Sequence, residues 1–395
     1  MGSGPLARRG VDSGGLIRSL GRMKRARHSS GPGRSSRSSE SEESVYDDSV
    51  GHLNAQKGDV ILGRYEVCRE LGVGTFGKVY KCLDAKHKDV VALKVVRRIR
   101  KYRDSARIEA SILADVYSRQ KKERSNFIVK MYSHFEFEGY YCMVFERLGV
   151  SLYDFIKGQD HRGLPLVCVR DIAWQMIAGV AFLHRMRLIH TDLKLENILL
   201  VHSDSSDYTY PDGTSVRIPQ RWQVKIIDFG GATYDDERKS TTINTRQYRG
   251  PEVTLELGWS FPSDIWSVGC MIAEVYTGDL LFATHGNVEH LALMERCLGP
   301  FPNYVLKSPV FKKYFRSRDC SVRVDELSSS SQEHVNGMPA LADLFQRQPG
   351  DASSGIVELL LGMLHLNPAK RTTAQQALED ERFFPSPPSS FGIVQ

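Results

Sequence analysis

No stretch of this 395-residue chain approaches the ~18 uninterrupted apolar residues that a membrane-spanning helix needs, which argues against an integral membrane protein. Arg8 and Arg9 are followed by no apolar segment, so a secretory signal is not expected. Cysteine is sparse and unpaired in pattern: Cys68, Cys82, Cys142, Cys168, Cys270, Cys297 and Cys320 are odd in number and contain no C-x-x-C. That excludes a disulfide framework and a zinc module, and fits reduced thiols of the cytosol or nucleus. No internal repeat is present. Aromatic residues are missing from the arginine-rich beginning of the chain, so direct nucleic-acid binding by base stacking is not expected there. What remains, 41% hydrophobic and 25% charged residues in 44.5 kDa, is enough for two or three compact units of about 150 residues.

The net charge of +6 is unevenly placed. Residues 1–38 hold nine Lys or Arg and one acid, a net of 9 − 1 = +8, so the rest of the chain carries (53 − 9) − (47 − 1) = −2. Residues 1–58 are rich in Gly, Ser and Arg with neither helical nor strand periodicity, and read as a disordered basic tail that cannot bury enough surface to offset its ordering entropy. Within it, Arg22-Met23-Lys24-Arg25-Ala26-Arg27 reads either as solvated charge or as a nuclear import signal.

From Tyr65 the texture changes. Alternating apolar residues over Tyr65–Leu71, Gly77–Leu83 and Val90–Val96 predict three antiparallel strands, and Val129–Phe137 and Tyr140–Glu146 two more. Between them Ser105–Tyr117 has helical spacing, with Ile108, Ile112, Leu113 and Val116 expected on the apolar side. After Leu148 the pattern is mainly helical, over Leu166–Arg185, Pro262–Thr277, His290–Leu298 and Gly355–Leu366. A polar stretch, Ser203–Arg221, reads as a hairpin inserted between two strands. A β-rich unit followed by a helix-rich one predicts an α+β protein of two lobes with a cleft between them.

Four segments carry chemistry. The run Leu71-Gly72-Val73-Gly74-Thr75-Phe76-Gly77-Lys78-Val79 fits G-x-G-x-x-G-x-V between two strands, where residues without side chains let backbone N–H groups approach phosphate. Such a loop alone is as readily structural. Lys94 ends Val91-Ala92-Leu93-Lys94 in an apolar strand and needs a partner if buried; Glu109 on the following helix offers the counter-charge. The pair would hold the ammonium against nucleotide phosphates. In His190-Thr191-Asp192-Leu193-Lys194-Leu195-Glu196-Asn197, Asp192 can accept the proton of a substrate hydroxyl, Lys194 can neutralise a moving phosphoryl group, and Asn197 can reach a Mg²⁺ ion. Ile226-Ile227-Asp228-Phe229-Gly230 ends an apolar strand on a second candidate Mg²⁺ ligand, Asp228.

Taken together and in this order, these segments resemble the eukaryotic protein kinases over Tyr65–Phe384, with an N-lobe at 65–147, a C-lobe at 148–384 and a short tail at 385–395. The resemblance implies the two-lobed kinase fold and use of ATP and Mg²⁺. Gly250-Pro251-Glu252 resembles the close of the family's activation segment, Asp264-Ile265-Trp266-Ser267-Val268-Gly269 the helix that anchors the catalytic loop, and Arg371 the partner of Glu252. It also implies an adenine pocket with Ala92 above, Leu199 below, Phe145 at the back, and backbone groups of Glu146 and Leu148 at the hinge.

Glu289-His290-Leu291-Ala292-Leu293-Met294-Glu295-Arg296 resembles the marker of the LAMMER, or CDC-like, kinases; as bare physics it is an amphipathic helix expected to pack. His190-Thr191-Asp192, Ala232-Thr233-Tyr234-Asp235-Asp236 and the hairpin insert agree with it. Leu195, Gly231, Gln247 and Gly250 depart from it, and the last two put substrate preference in doubt. Threonine at 191, where most kinases carry arginine, implies that Ser240, Thr241, Thr242 or Thr245 need no phosphate to order the loop. The resemblance further implies a dual-specificity Ser/Thr and Tyr kinase of the nucleus, also of the cytoplasm, acting on arginine/serine-rich splicing factors, with the basic tail as its own target. A pseudokinase scaffold is the alternative, and intact Lys94, Asp192, Asn197 and Asp228 weigh against it. A small-molecule phosphotransferase is disfavoured by the complete segment ending at Glu252.

Overall fold

Six antiparallel strands and one long helix form the first lobe of the structure, a computed structural model that describes residues 51–237, 240–317, 319–346 and 355–385. The strands are β1 Val60–Ile61, β2 Tyr65–Gly74, β3 Gly77–Asp84, β4 Asp89–Val96, β5 Met131–Phe137 and β6 Tyr140–Glu146, in the order β1-β2-β3-β4-β6-β5. Each short link has a chemical cause. Glu138 and Gly139, both at positive φ, close the two-residue turn between β5 and β6, as a right-twisted hairpin requires. Thr75 and Phe76 join β2 to β3, with Gly74 opposite Gly77. One sheet face is sealed by Tyr65, Tyr80, Cys82, Leu93 and Val144.

Helix α1, Arg100–Glu123, covers the other face and buries Glu109, Ile112, Leu113, Val116 and Gln120. It is longer than predicted, and Ile108 corrects the predicted apolar side: it is 62% exposed. At 100° per residue Ile108 lies about a quarter-turn off the stripe centred on Glu109, Leu113 and Val116. The boundary at residue 58 also moves. Leu53 is buried against the sheet and its carbonyl accepts the Tyr80 hydroxyl at 2.6 Å, so folded chain begins earlier than composition suggested. The basic cluster Arg22–Arg27 and the tail after residue 385 lie outside the described residues.

The second lobe follows the hinge after β6. Helices α2 Leu152–Lys157 and α3 Leu166–Arg185 precede β7 Leu188–Ile189 and β8 Ile198–Leu200. Helix α3 is long and apolar enough to cross a membrane, yet 72% of its most apolar window is buried inside the lobe, as the core helix. The inserted hairpin, β9 Ser205–Thr209 and β10 Ser215–Pro219, returns to β11 Val224–Ile226, which pairs with β8. Arg217 holds the hairpin down, its amide donating to Gln159 Oε1 at 2.9 Å. Strand β12, Thr233–Tyr234, pairs with β7.

Helices α4 Pro251–Thr254, α5 Pro262–Thr277, α6 Asn287–Leu298, α7 Phe311–Tyr314, α8 Ser329–Gly337, α9 Ile356–Met363 and α10 Ala374–Leu378 complete the lobe. Helix α5 opens on a proline, ends on left-handed Gly278, and buries nearly every side chain. As the sequence implied, Arg371 grips Glu252 with two bonds, 2.7 and 2.9 Å, while its guanidinium lies 4.9 Å from the Trp266 ring centre. Both partners are buried, so removing either leaves an uncompensated charge, a loss of about 3–5 kcal/mol. On α6, His290, Leu291, Ala292, Leu293 and Met294 are buried, the packing role expected of that segment.

Candidate active site

The hinge bounds a cleft of about 670 Å³ between the lobes. Its roof is the β2–β3 hairpin. A Cβ on Gly72 would meet nothing within 4 Å, and one on Gly74 only Gly77 O at 3.9 Å, so an open cradle lies over the cleft. Gly77 is glycine for another reason: a Cβ there would sit 2.2 Å from Val95 O, so its role is to let β3 lie against β4. Phe76 packs edge-on to Tyr102 of α1.

Lys94 points from β4 into this space. Its Nζ donates to Glu109 Oε1 and Oε2 at 2.8 and 3.0 Å and to Asp228 Oδ1 at 3.2 Å. Burial by itself would discharge the ammonium, but the two carboxylates outweigh it and hold the Lys94 pKa above the ordinary lysine value. The same lysine, set against burial, keeps the Asp228 carboxyl below its usual range. The apolar walls are Ala92 and Phe145, cross-strand partners, with Leu199 opposite. At the hinge the Glu146 amide donates to Lys130 O at 3.0 Å, so of its two backbone groups the carbonyl is the one for a ligand.

The catalytic loop follows β7 and is held from below. Asp264 Oδ2 accepts the His190 amide and His184 Nε2, and Oδ1 accepts the Thr191 amide, all at 2.9–3.0 Å. Burial would raise the Asp264 pKa; these donors reverse that and keep it low. Asp192 N–H donates to His190 Nδ1, so the proton of the ring is on Nε2, which reaches Ile227 O at 3.0 Å. Thr191 and Asp228 both have positive φ, near 70° and 63°, a conformation that non-glycine residues hold only when neighbours enforce it. Asp192 Oδ2 faces Lys194 Nζ at 2.9 Å and Oδ1 accepts the Thr245 hydroxyl at 2.7 Å. Asn197 Nδ2 donates to Asp192 O at 2.9 Å, which leaves Oδ1 as its metal-binding atom.

The cleft gathers nearly all the residues predicted for it: Leu71, Gly72, Val73, Gly74, Phe76, Gly77 and Val79 above, Ala92, Lys94, Glu109, Phe145, Glu146 and Leu148 behind, Asn197, Leu199 and Asp228 below. Asp192 and Lys194 adjoin it through Asn197. Thr75 and Lys78 stand apart from the others. Neither lines the cleft, since Thr75 occupies the exposed turn and Lys78 leans to Glu70 at 3.9 Å. Several residues were not foreseen. Val129 and Ile227 line the apolar part, and Lys225 holds the Glu146 side chain at 2.6 Å in a nearly buried pair. Thr245, anticipated only as a dispensable phosphate acceptor, instead orients Asp192. A lysine inside the apolar run before Asp228 was the available signal for Lys225; nothing in its own neighbourhood marked Thr245.

A carboxylate and an amide oxygen, hard donors, flank the floor under an open backbone cradle. No cluster of three His, Cys, Asp or Glu able to hold a metal exists among the described residues. That donor set fits a divalent ion held largely by the phosphates of its nucleotide rather than by a protein cage.

The protein kinase domain model matches residues 65–383. The chain is 40% identical over 346 residues to serine/threonine-protein kinase AFC2 of Arabidopsis thaliana, covering 85% of this chain and 81% of that protein. It is also 40% identical over 343 residues to dual specificity protein kinase CLK2 of Homo sapiens, 86% of this chain and 68% of that one. With the crystal structure of the kinase domain of PF14_0431 it shares a TM-score of 0.77 and 34% identity, covering 85% of this chain and 100% of that one. The chain belongs to the protein kinase family and has its two-lobed α+β fold. With AFC2, CLK2 and Doa of Drosophila melanogaster among its relatives at 40% identity, it is a member of the LAMMER, or CDC-like, branch.

Proposed function

We propose that this kinase, using Mg²⁺ as its divalent ion, phosphorylates serine and threonine in arginine/serine-rich proteins of the splicing-factor class in the nucleus, and tyrosine chiefly on itself. The observation that carries it is the convergence of Lys94, Glu109, Asp192, Asn197 and Asp228 on one cleft. Lys94, fixed by Glu109, is placed to hold the nucleotide phosphates. Asp192, oriented by Thr245, is placed to take the substrate hydroxyl's proton, while Lys194 offsets charge on the transferring group. Asn197 and Asp228 would hold Mg²⁺, which supplies charge neutralisation between the phosphates. Asp154 and Glu196 add acidic side chains to the cleft lining, which favours a cationic peptide. The basic cluster Arg22–Arg27 supports nuclear import.

The test is turnover of Mg·ATP on an Arg/Ser peptide beside acidic and proline-directed peptides. An Asp192→Ala variant is expected to lose about 10²–10⁴ in kcat. Preference for an acidic peptide would sink the substrate assignment, and equal activity of the variant would sink the base. A fluorescent fusion lacking residues 22–27 is expected to leave the nucleus.

A further inference from the structure

The activation segment is tied to α1 by one long-range bond that the reaction itself does not use. The Tyr234 hydroxyl donates to Asp115 Oδ2 at 3.0 Å, across 119 residues of sequence, and Asp115 stands on the helix that carries Glu109. The tyrosine end of this link is tied down by its neighbours. Tyr234 pairs by its backbone with Leu188, and its amide donates to Glu237 Oε2 at 3.2 Å. The next residue, Asp235, accepts Arg187 at 2.6 Å and Ser260 at 2.7 Å. A fixed strand therefore holds one end of a bond whose other end is the helix that sets the Lys94–Glu109 pair. The ring is half-buried, while Asp115 and Glu237 are exposed, so the hydroxyl is open to an approaching active site.

The surroundings of that oxygen are hostile to negative charge. Burial, the bond to Asp115 and the nearby Glu237 carboxylate push the phenol up to about 12. A phosphate there would add about −1.5 to −2 charge beside a carboxylate and remove the donor proton.

We propose that Tyr234 is a phosphorylation site of this chain and that its modification releases α1, separates Glu109 from Lys94 and lowers activity. The proposal rests on the protein kinase activity of the site above and goes beyond it. The donor is a second copy of the chain, because the pairing to Leu188 keeps the ring beside its own α1. In the transfer, the bond from the γ-phosphorus to the β–γ bridging oxygen of ATP breaks and a new bond forms to Tyr234 Oη. The phenolic proton passes through Asp192 of the second copy to water, and ADP leaves.

The experiment uses the full chain. Wild type is preincubated with Mg·ATP, mapped for phosphate, and assayed on a peptide beside Tyr234→Phe, Tyr234→Glu, Asp115→Asn and the Glu/Asn double variant. Phosphate is expected at Tyr234, with kcat/KM falling about tenfold as that site fills. The loss should sit mainly in KM for ATP, since Glu109 acts through Lys94, and thermal midpoints should stay together. Tyr234→Phe should start two- to fivefold below wild type and show no decline on preincubation. Asp115→Asn, which keeps an acceptor, should recover at least threefold of the Tyr234→Glu loss. No phosphate at Tyr234, full activity or activation of Tyr234→Glu, or no rescue by Asp115→Asn would each overturn it. A wild type inert on every peptide before preincubation would overturn the kinase reading, and this proposal with it.

Discussion

Asp192 works because other groups decide where its two oxygens point. Thr245 holds Oδ1 through both its hydroxyl, at 2.7 Å, and its amide, at 3.1 Å, and Lys194 holds Oδ2. Thr245→Ala removes the shorter of the two bonds on Oδ1 and leaves the carboxylate less firmly oriented, so kcat should fall about 10- to 100-fold. Thr245→Ser should retain most of the rate. KM for ATP should stay near wild type in both, because Thr245 does not line the nucleotide cleft; steady-state kinetics with each substrate varied would show this. At this scale the sequence was legible wherever a charged residue stood in an apolar strand, or a charged or amide residue at fixed spacing in a loop. Lys94, Asp192, Asn197 and Asp228 were readable for that reason. Thr245 was not, because a hydroxyl costs nothing to leave in a loop and so leaves no mark on its neighbours.

The activation segment is an element whose order comes from hydrogen bonds that involve no phosphate. Thr191 Oγ1 donates to Gly231 O at 2.8 Å, and the Asn244 amide donates to Thr191 O at 2.9 Å. Arg249 grips Ile243 O and Asn244 O, and Trp259 Nε1 donates to Ser240 O, each near 2.9 Å. No cation at position 191 waits for a phosphate. Protein made in bacteria and treated with phosphatase should therefore phosphorylate a peptide at half or more of its untreated rate. Thr191→Arg should drop it about tenfold, the new charge being placed at a buried position without a partner. A wild type that stays inert until another kinase acts on it would contradict this account. Gly250 shows what an element-level departure means physically. A Cβ there would fall 2.7–2.9 Å from the Glu252 carboxyl group, so the missing methyl is space taken by the Glu252–Arg371 pair. Strand and helix limits were mostly legible from period, as in β6, α3 and α5. The apolar side of α1 was misread at Ile108, because a helix buried on a narrow stripe leaves flanking apolar residues in water.

Across the whole molecule, the second lobe stores one unusual proton. Glu274 lies buried on α5 with Tyr248 Oη donating to its Oε2 at 2.6 Å, and burial, with Glu196 and Asp279 adding to it, pushes the carboxyl up to about 7. The folded state thus binds a proton that the unfolded chain releases near pH 4.5. Its stabilising effect is complete below about pH 4.5 and is lost as pH rises towards 7, by up to about 3 kcal/mol. Glu274→Gln keeps an acceptor for Tyr248 and removes the titration. Its stability should fall less than that of wild type between pH 5 and 7 in urea unfolding; parallel curves would show the proton is absent.

The two-part architecture, the order of the catalytic segments and the identity of the groups that move phosphate could all be read along the chain, because periodicity and the cost of burying charge are local properties. That Thr245 steers Asp192, that Lys225 braces the hinge, that Gly77 serves packing, and that Tyr234 ties the activation segment to α1 emerged with the folded arrangement alone. Each of those depends on a distance between residues far apart in the chain, and such distances exist only once both lobes have closed their cores.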